Sequence, residues 1–216
     1  MEKIQTLADI TRVHGRERGA SEAMLYANDG RTWTFAQLDA EANRVAHALL
    51  DCGVGAQSRI AYLDKNAPEY FTYLFGGAKI NAVSVAVNWR LAPPEMEYIL
   101  NHSEAKTLLI GDEFLPALSQ MQLSAIDTIV VLGDPGDSGY LTYDQWLAGH
   151  SAADPAHPVD PEDTCYQLYT SGTTGLPKGV ELTHANFMHC LSESLQATGM
   201  TQESVNMICM PLFHLS

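Results

Sequence analysis

The feature that most constrains the fold of this chain is a regular alternation of short apolar runs and helical segments over residues 59–132. The apolar runs predict strands at 59–63, 83–87, 106–110 and 128–132. Pro68, Pro93 and Pro94 begin two of the intervening segments, and proline suits the first turn of a helix. Strands that alternate with helices form right-handed βαβ units. We therefore predict an α/β fold of layered βαβ units with a largely parallel sheet.

Other segments extend this pattern on both sides. A helix is predicted at 6–18 and a hairpin around Asn28-Asp29-Gly30, followed by a helix that begins with the capping box 34–37. Apolar positions of the helix after Pro68 predict an inner face of four residues: Phe71, Leu74, Phe75 and Ala78. Further along the chain we expect helices at 141–149 and 184–198 and a buried strand at 205–210.

Residues 169–180 carry the residue types most suited to chemistry. These twelve residues contain four Ser or Thr hydroxyls, three glycines and Lys178, between two short strand patterns. Glycines allow backbone N–H groups to approach an anion closely, and hydroxyls add further donors. A lysine adds a point charge that suits a phosphate. The residues alone therefore predict a loop that holds a triphosphate.

Two alternatives have to be weighed against this hypothesis. Gly172 and Lys178 have the spacing of a Walker A loop, but Pro177 replaces its second glycine and Gly179 replaces its magnesium-binding Ser or Thr. No helix pattern follows directly, so the helix N-terminus of a Walker site is missing. The second alternative is a flexible surface loop rich in Ser, Thr and Gly. Pro177 and the close order of the hydroxyls argue against it.

Three segments resemble motifs of one known superfamily. Residues 169–180, with Thr-His-Ala-Asn at 183–186, resemble the phosphate-binding signature of the adenylate-forming enzymes. These include acyl-CoA synthetases, aryl-CoA ligases, luciferases and peptide-synthetase adenylation domains. Residues 210–215 resemble the segment that lines the acid pocket in this superfamily, and 88–91 are similar to an Asn-x-Arg-Leu segment of acyl-CoA synthetases. The resemblance covers about residues 7–216.

The resemblance implies roles for particular residues. It implies ATP phosphate binding by six residues: Thr170, Ser171, Gly172, Thr173, Thr174 and Lys178. Lys178 would also stabilise phosphate charge during catalysis, and Thr170 or Thr174 would contact Mg²⁺. His214 would form a wall of the acid pocket. Without the motif, a histidine beside an aromatic residue is more often packed in a core, and Phe213 could be either pocket wall or core.

The resemblance also implies a domain organisation. Residues 1–216 would be an incomplete N-terminal adenylation domain, with a βαβ subdomain at 1–149, a linker at 150–162 and the start of the phosphate-loop subdomain at 163–216. The chain would lack the acidic magnesium ligand, the ribose-binding aspartate, the hinge and the C-terminal domain with its catalytic lysine. We therefore expect residues 1–216 alone to be inactive.

The implied activity is that of an AMP-forming acid:CoA ligase. Such an enzyme uses ATP and Mg²⁺ to convert a carboxylic acid, here fatty or aromatic, to an acyl adenylate, and then transfers the acyl group to CoA. An adenylation domain that loads a carrier protein is the first alternative. A non-catalytic adenylate-binding module is the second. The sequence does not specify which acid is activated.

Composition and charge also limit which partners the protein can bind and in which compartment it lies. The formal net charge of −14 disfavours nucleic acid and anionic membranes as partners. The N-terminus lacks a signal-peptide pattern, and no apolar run reaches the ~18 residues that span a bilayer. The four cysteines form no C-x-x-C pair, and reduced thiols indicate a cytoplasmic protein. An exposed sheet edge would also allow copies of the chain to form a homo-oligomer.

Overall fold

A computed structural model describes residues 3–170 and 176–214 of the chain. In chain order, the strands in these residues are β1 (Glu22–Tyr26), β2 (Arg31–Thr34), β3 (Arg59–Leu63), β4 (Val83–Ala86), β5 (Thr107–Gly111), β6 (Thr128–Leu132), β7 (Leu141–Thr142), β8 (Thr164–Thr170) and β9 (Lys178–Thr183). The α-helices are α1 (Leu7–Glu17), α2 (Phe35–Asp51), α3 (Glu69–Lys79), α4 (Pro93–His102), α5 (Leu115–Leu118), α6 (Tyr143–Leu147) and α7 (His184–Thr198).

The centre of the fold is a seven-stranded sheet in the order β7-β6-β5-β3-β4-β8-β9. Strands β3 to β8 pair in parallel, and β9 is antiparallel to β8. The α/β fold and the largely parallel sheet are therefore confirmed. Strands β1 and β2 form a separate antiparallel hairpin, as the Asn-Asp-Gly turn predicts. Gly30 has a φ of 79° in this turn, a conformation that favours glycine.

Both faces of the central strands are covered, which explains why these strands are apolar along most of their length. Side chains of a strand alternate between its faces. Ile60 and Tyr62 of β3 therefore pack in a core that includes residues of α1, α2 and α3, whereas Ala61 and Leu63 pack in a second core that includes residues of α4. The result is a three-layer arrangement with the sheet in the middle.

Helix α3 packs more closely than its apolar pattern predicts. Leu74 and Ala78 are buried as expected, but Phe71 and Phe75 are only half-buried and line a cleft. The reason is a pair of glycines on the inner side of the helix. A Cβ on Gly76 would lie 2.5 Å from Val45 of α2, and one on Gly77 would lie 2.4 Å from Ile60 of β3. The glycines, rather than the phenylalanines, therefore face the core.

The segment 150–162 has no regular structure but is firmly attached to the helices. Asp154 accepts hydrogen bonds from the Arg12 guanidinium at 2.7 and 3.1 Å and from Lys79 Nζ at 3.1 Å. Asn43 Nδ2 donates to the Ala152 carbonyl at 2.8 Å. Burial raises the pKa of the Asp154 carboxyl, but the Arg12 hydrogen bonds, the Ala156 N–H and the charge of Lys79 together hold it well below its usual value. The division of the chain at 149 and 162 stays a prediction.

Two sequence-based predictions of local structure were wrong. Residues 205–210 form no strand: Val205 is 98% exposed and Met207 is 81% exposed. An apolar run becomes a buried strand only where another strand pairs with it, and none of the described strands does so here. The helix predicted at 141–149 begins at Tyr143, because Leu141 and Thr142 pair with β6 as an edge strand.

Candidate functional site

Thr170 and Lys178 lie side by side at the mouth of the loop predicted to bind phosphates. Strands β8 and β9 form an antiparallel hairpin whose register pairs Thr170 with Lys178, and both residues are exposed. A hydroxyl and an ammonium group therefore occupy neighbouring positions. The predicted roles of Ser171, Gly172, Thr173 and Thr174 fall on residues outside the described part of the chain.

The position of this hairpin in the sheet suits a ligand site. Thr170 ends β8, so it lies at the carboxyl edge of the parallel strands. Open α/β sheets bind ligands in the crevice outside the carboxyl ends of their strands. The turns that follow β3 and β4 also lie at this edge of the sheet. Both turns contact residues 210–214.

An amide clamp holds the segment 210–214 to the end of β3. Asn66 Nδ2 donates to the Met210 carbonyl at 2.8 Å, and its Oδ1 accepts from the Leu212 N–H at 3.0 Å. The Tyr166 hydroxyl of β8 donates to the Leu212 carbonyl at 3.4 Å. Sequence analysis assigned no role to Asn66. The sequence shows only that Asn66 is an amide in the turn after a buried strand. Its hydrogen-bond partners lie more than 140 residues away.

Phe213 anchors the same segment in the core. It is 8% exposed, and its ring meets Trp89 edge-on at 6.2 Å between centroids. The Arg90 guanidinium lies 4.8 Å from the centre of the Trp89 ring and 6.0 Å from that of Phe213. Of the two alternatives for Phe213, packing in the core is the one observed. The motif 88–91 and the motif 210–215 thus meet through aromatic contacts.

His214, in contrast to Phe213, is exposed. The centroid of its ring lies 4.4 Å from that of Phe213. Its backbone N–H donates to the Pro211 carbonyl at 3.1 Å. His214 is therefore not packed in the core, which was the alternative to a role in the acid pocket. The acid-pocket role of His214 stays a prediction.

Acidic residues gather at the carboxyl edge without forming a metal site. Burial, with smaller contributions from the charges of Glu113 and Asp112, raises the pKa of Asp64 to about 6, although the Lys65 N–H opposes this. Among the described residues, no group of three His, Cys, Asp or Glu side chains could hold a metal ion. Of the two threonines predicted to contact Mg²⁺, Thr170 offers one exposed hydroxyl and Thr174 lies outside the described residues.

His184, inside the predicted signature, has a structural role. Its side chain has no exposed surface, and its Nδ1 accepts a hydrogen bond from the Leu7 N–H at 3.1 Å. Within the part of the chain that the structure describes, Nε2 has no hydrogen-bond partner. Burial lowers the pKa of His184 to about 4, despite the nearby charges of Asp163 and Asp9.

The buried His184 predicts a specific pH dependence of stability. Its folded-state pKa of about 4 lies below the ordinary value of 6.5, so the unfolded chain binds its proton more readily. The His184 contribution is therefore complete above pH 6.5 and is lost as the pH falls towards 4, with a total of about 3 kcal/mol. Asp64, whose pKa is raised, changes stability in the opposite sense over part of this range.

The test must therefore compare variants rather than follow one curve. His184→Gln keeps an acceptor for the Leu7 N–H but does not titrate. Measured by urea unfolding, the stability of His184→Gln relative to the native chain should rise as the pH is lowered from 6.5 to 4. Two curves that stay parallel over this range would contradict the assignment.

An apolar cleft of about 490 Å³ opens next to the clamped segment. It lies between the β1–β2 hairpin, α2, α3 and residues 206–212. Phe71 and Phe75 of α3 line one side, and Met207 and Leu212 line another. Within residues 3–170 and 176–214, every helix is too short or too polar to span a bilayer.

Comparison with known proteins identifies the class to which this site belongs. The family model described as AMP-binding enzyme matches residues 12–216, so the chain belongs to that family. The chain is 40% identical over 218 residues to a fatty acid–[acyl-carrier-protein] ligase, ScoC, of Streptomyces coeruleorubidus; the match covers 99% of this chain and 40% of that protein.

Two further relatives agree with this assignment. The chain is 34% identical over 196 residues to a long-chain-fatty-acid–CoA ligase of Thermus thermophilus, a match that covers 89% of this chain and 36% of that protein. The crystal structure of the anthranilate CoA ligase AuaEII with anthranoyl-AMP superposes with a TM-score of 0.78 at 35% identity, covering 83% of this chain and 35% of that one. The chain thus spans well under half the length of these relatives.

Proposed function

We propose that this chain is part of an enzyme that activates a carboxylic acid with ATP and transfers the acyl group to CoA. The observation that carries the proposal is the pairing of Thr170 with Lys178 at the carboxyl edge of the sheet in a member of the AMP-binding family. A hydroxyl, an ammonium group and a loop between them suit the phosphates of ATP.

The reaction needs charge stabilisation rather than a nucleophilic side chain. The substrate carboxylate attacks the α-phosphorus of ATP, the bond to the β-phosphate oxygen breaks, and pyrophosphate leaves with that electron pair. Negative charge on the phosphates would be met by Lys178, by hydroxyls of Thr170, Ser171, Thr173 and Thr174, and by backbone N–H groups at Gly172. Mg²⁺, contacted by Thr170 or Thr174, would neutralise phosphate charge.

The acid is proposed to carry a fatty or aromatic group. The support is the apolar cleft beside residues 206–212, together with the segment 210–214 that ends in the exposed His214. His214 would form a wall of the pocket near the carboxylate. The relatives named above act, by their names, on fatty acids or on an aromatic acid.

A carrier-protein thiol is the second candidate acceptor. It is favoured by the relative ScoC, whose name describes transfer to an acyl-carrier protein and whose identity to this chain is 40%. CoA is favoured by the Asn-Trp-Arg-Leu motif at 88–91 and by the names of the other two relatives. We also propose a cytoplasmic location, because all four cysteines are unpaired, as in reducing compartments.

The experiment supplies the full-length enzyme with MgATP, a panel of fatty and aromatic acids, and either CoA or acyl-carrier protein. We expect AMP and pyrophosphate as products, with a thioester formed on CoA. Thioester on the carrier protein alone would favour the second acceptor. Release of ADP, or no acid-dependent product from a folded enzyme that binds ATP, would contradict the proposal.

Residues 1–216 alone should form no thioester in the same assay. Catalysis requires groups from several segments to meet within tight tolerances, and a site open to water weakens each electrostatic contact. The full-length enzyme serves as the positive control. Comparable turnover by both proteins would mean that the chemistry needs only the residues of this chain.

A further inference from the structure

One face of helix α4 contacts both ends of the phosphate loop. The Tyr98 hydroxyl donates a hydrogen bond to the Pro177 carbonyl at 3.3 Å. One helical turn later, His102 Nδ1 shares a hydrogen bond of 2.8 Å with the Tyr169 hydroxyl. Tyr169 immediately precedes Thr170, and Pro177 immediately precedes Lys178. Each contact therefore fixes the residue next to one member of the pair proposed to bind phosphate.

The three aromatic side chains support one another. The rings of Tyr98 and His102 lie 5.3 Å apart between centroids, as expected for residues four apart on a helix. The His102 ring meets the Tyr169 ring edge-on at 5.7 Å. Burial raises the pKa of Tyr169 to about 12, so its hydroxyl stays protonated and can donate to His102. We call Tyr98, His102 and Tyr169 the α4 brace.

Helix α4 is itself well fixed, so it can hold the loop in place. Met96, Ile99 and Leu100 on its inner face are at most 2% exposed. Asn101 Nδ2 donates to the Gln122 carbonyl at 2.8 Å, and Asn101 Oδ1 accepts from the Ser124 N–H at 2.9 Å. A functional site gains accuracy when its supporting residues are held by packing and hydrogen bonds.

We propose that Tyr98 and His102 are positioning residues that act through Tyr169 and Pro177 and hold Thr170 and Lys178, at the two ends of the phosphate loop, in the arrangement that binds MgATP. This inference rests on the proposed function only for the identity of the ligand. Binding costs conformational entropy when the residues of a site become ordered around a ligand. The brace fixes both ends of the loop before the nucleotide arrives and so reduces that cost.

The brace makes a prediction about nucleotide affinity. Tyr98→Phe removes the bond to the Pro177 carbonyl. Tyr169→Phe removes the bond to His102 and the one that Gln167 Nε2 donates at 3.3 Å. Both variants keep the rings. Each lost hydrogen bond should weaken MgATP binding by about 3- to 10-fold. The KM for the acid should stay within about twofold, since the brace contacts the loop and not the segment 210–214. Tyr140→Phe, a half-buried tyrosine outside α4, is the matched control.

Two measurements on the full-length enzyme test this proposal. Calorimetry gives the affinity for MgATP, and limited trypsin digestion gives the rate of cleavage after Lys178, which reports local opening of the hairpin. We expect Tyr98→Phe and Tyr169→Phe to bind MgATP more weakly and to be cut faster than Tyr140→Phe, with unchanged melting temperatures.

The two measurements separate this inference from the proposed function. If the native enzyme binds no MgATP, the proposed function fails, and the cleavage rate alone decides whether the brace holds the loop. Cleavage rates of the brace variants equal to that of Tyr140→Phe would overturn the brace. Faster cleavage with undiminished MgATP affinity would overturn its role in nucleotide binding.

Discussion

Replacing Lys178 with alanine should lower the acid-dependent ATP–pyrophosphate exchange of the full-length enzyme by about 100-fold while leaving its melting temperature nearly unchanged. The expected loss corresponds to removal of one charged group that stabilises the transition state. The melting temperature should change little because Lys178 is exposed and forms no ion pair with any residue in the described ranges. Exchange kinetics and a thermal melt of the same preparation measure the two effects.

Two variants make the Lys178 result specific. Lys106→Ala removes another exposed lysine, 3.9 Å from Asp127 and away from the loop, and should keep native exchange. Lys178→Arg keeps the charge but changes its shape, so it should recover only part of the activity. Exchange by Lys178→Ala at the native rate would remove Lys178 from the site.

Replacing Lys79 with methionine should destabilise the chain by about 3 kcal/mol, the lower end of the range for breaking a buried ion pair. Lys79 has no exposed surface, and its Nζ lies 2.8 Å from Asp39 and 3.1 Å from Asp154. Without the ammonium group, two partly buried carboxylates would face each other across the gap. Urea unfolding of the native chain and of Lys79→Met measures the difference.

The control for this prediction is an exposed lysine with one carboxylate partner. Lys65 is 56% exposed on its side chain and lies 2.7 Å from Glu113, so Lys65→Met should cost less than about 1 kcal/mol. Lys79→Met combined with Asp39→Asn should recover part of the lost stability, because Asp154 keeps its ion pair with Arg12 whereas Asp39 has no other cationic partner in the described residues. Equal costs for Lys65→Met and Lys79→Met would contradict a structural role of the buried ion pair.

Much of the fold could be predicted because its signals are local. Strand β3 and strand β5 are apolar on both faces, and Thr34 and Gln37 form the capping box that begins α2, as predicted. The burial of Lys79 could not be predicted, because its partners Asp39 and Asp154 are both distant from it in the sequence. Residues 205–210 were misassigned for a related reason: an apolar run does not reveal whether a strand will pair with it.

The distinction between local signals and partners distant in the sequence also applies to the candidate site. Thr170 and Lys178 were identified from a motif, and the hairpin brings them together. Asn66, Tyr98 and His102 were not identified, because each acts through a partner distant in sequence and belongs to no local pattern. The phosphate-binding roles of Thr170, of residues 171–174 and of Lys178 all remain predictions from the sequence.

The most direct test of carboxylate activation is ATP–pyrophosphate exchange by the full-length enzyme in the absence of CoA and carrier protein. Labelled pyrophosphate should enter ATP only when Mg²⁺ and a suitable fatty or aromatic acid are both present, because formation of the acyl adenylate is reversible. A folded enzyme that binds MgATP but shows no exchange with any acid of the panel, or that exchanges equally well without an acid, would contradict carboxylate activation.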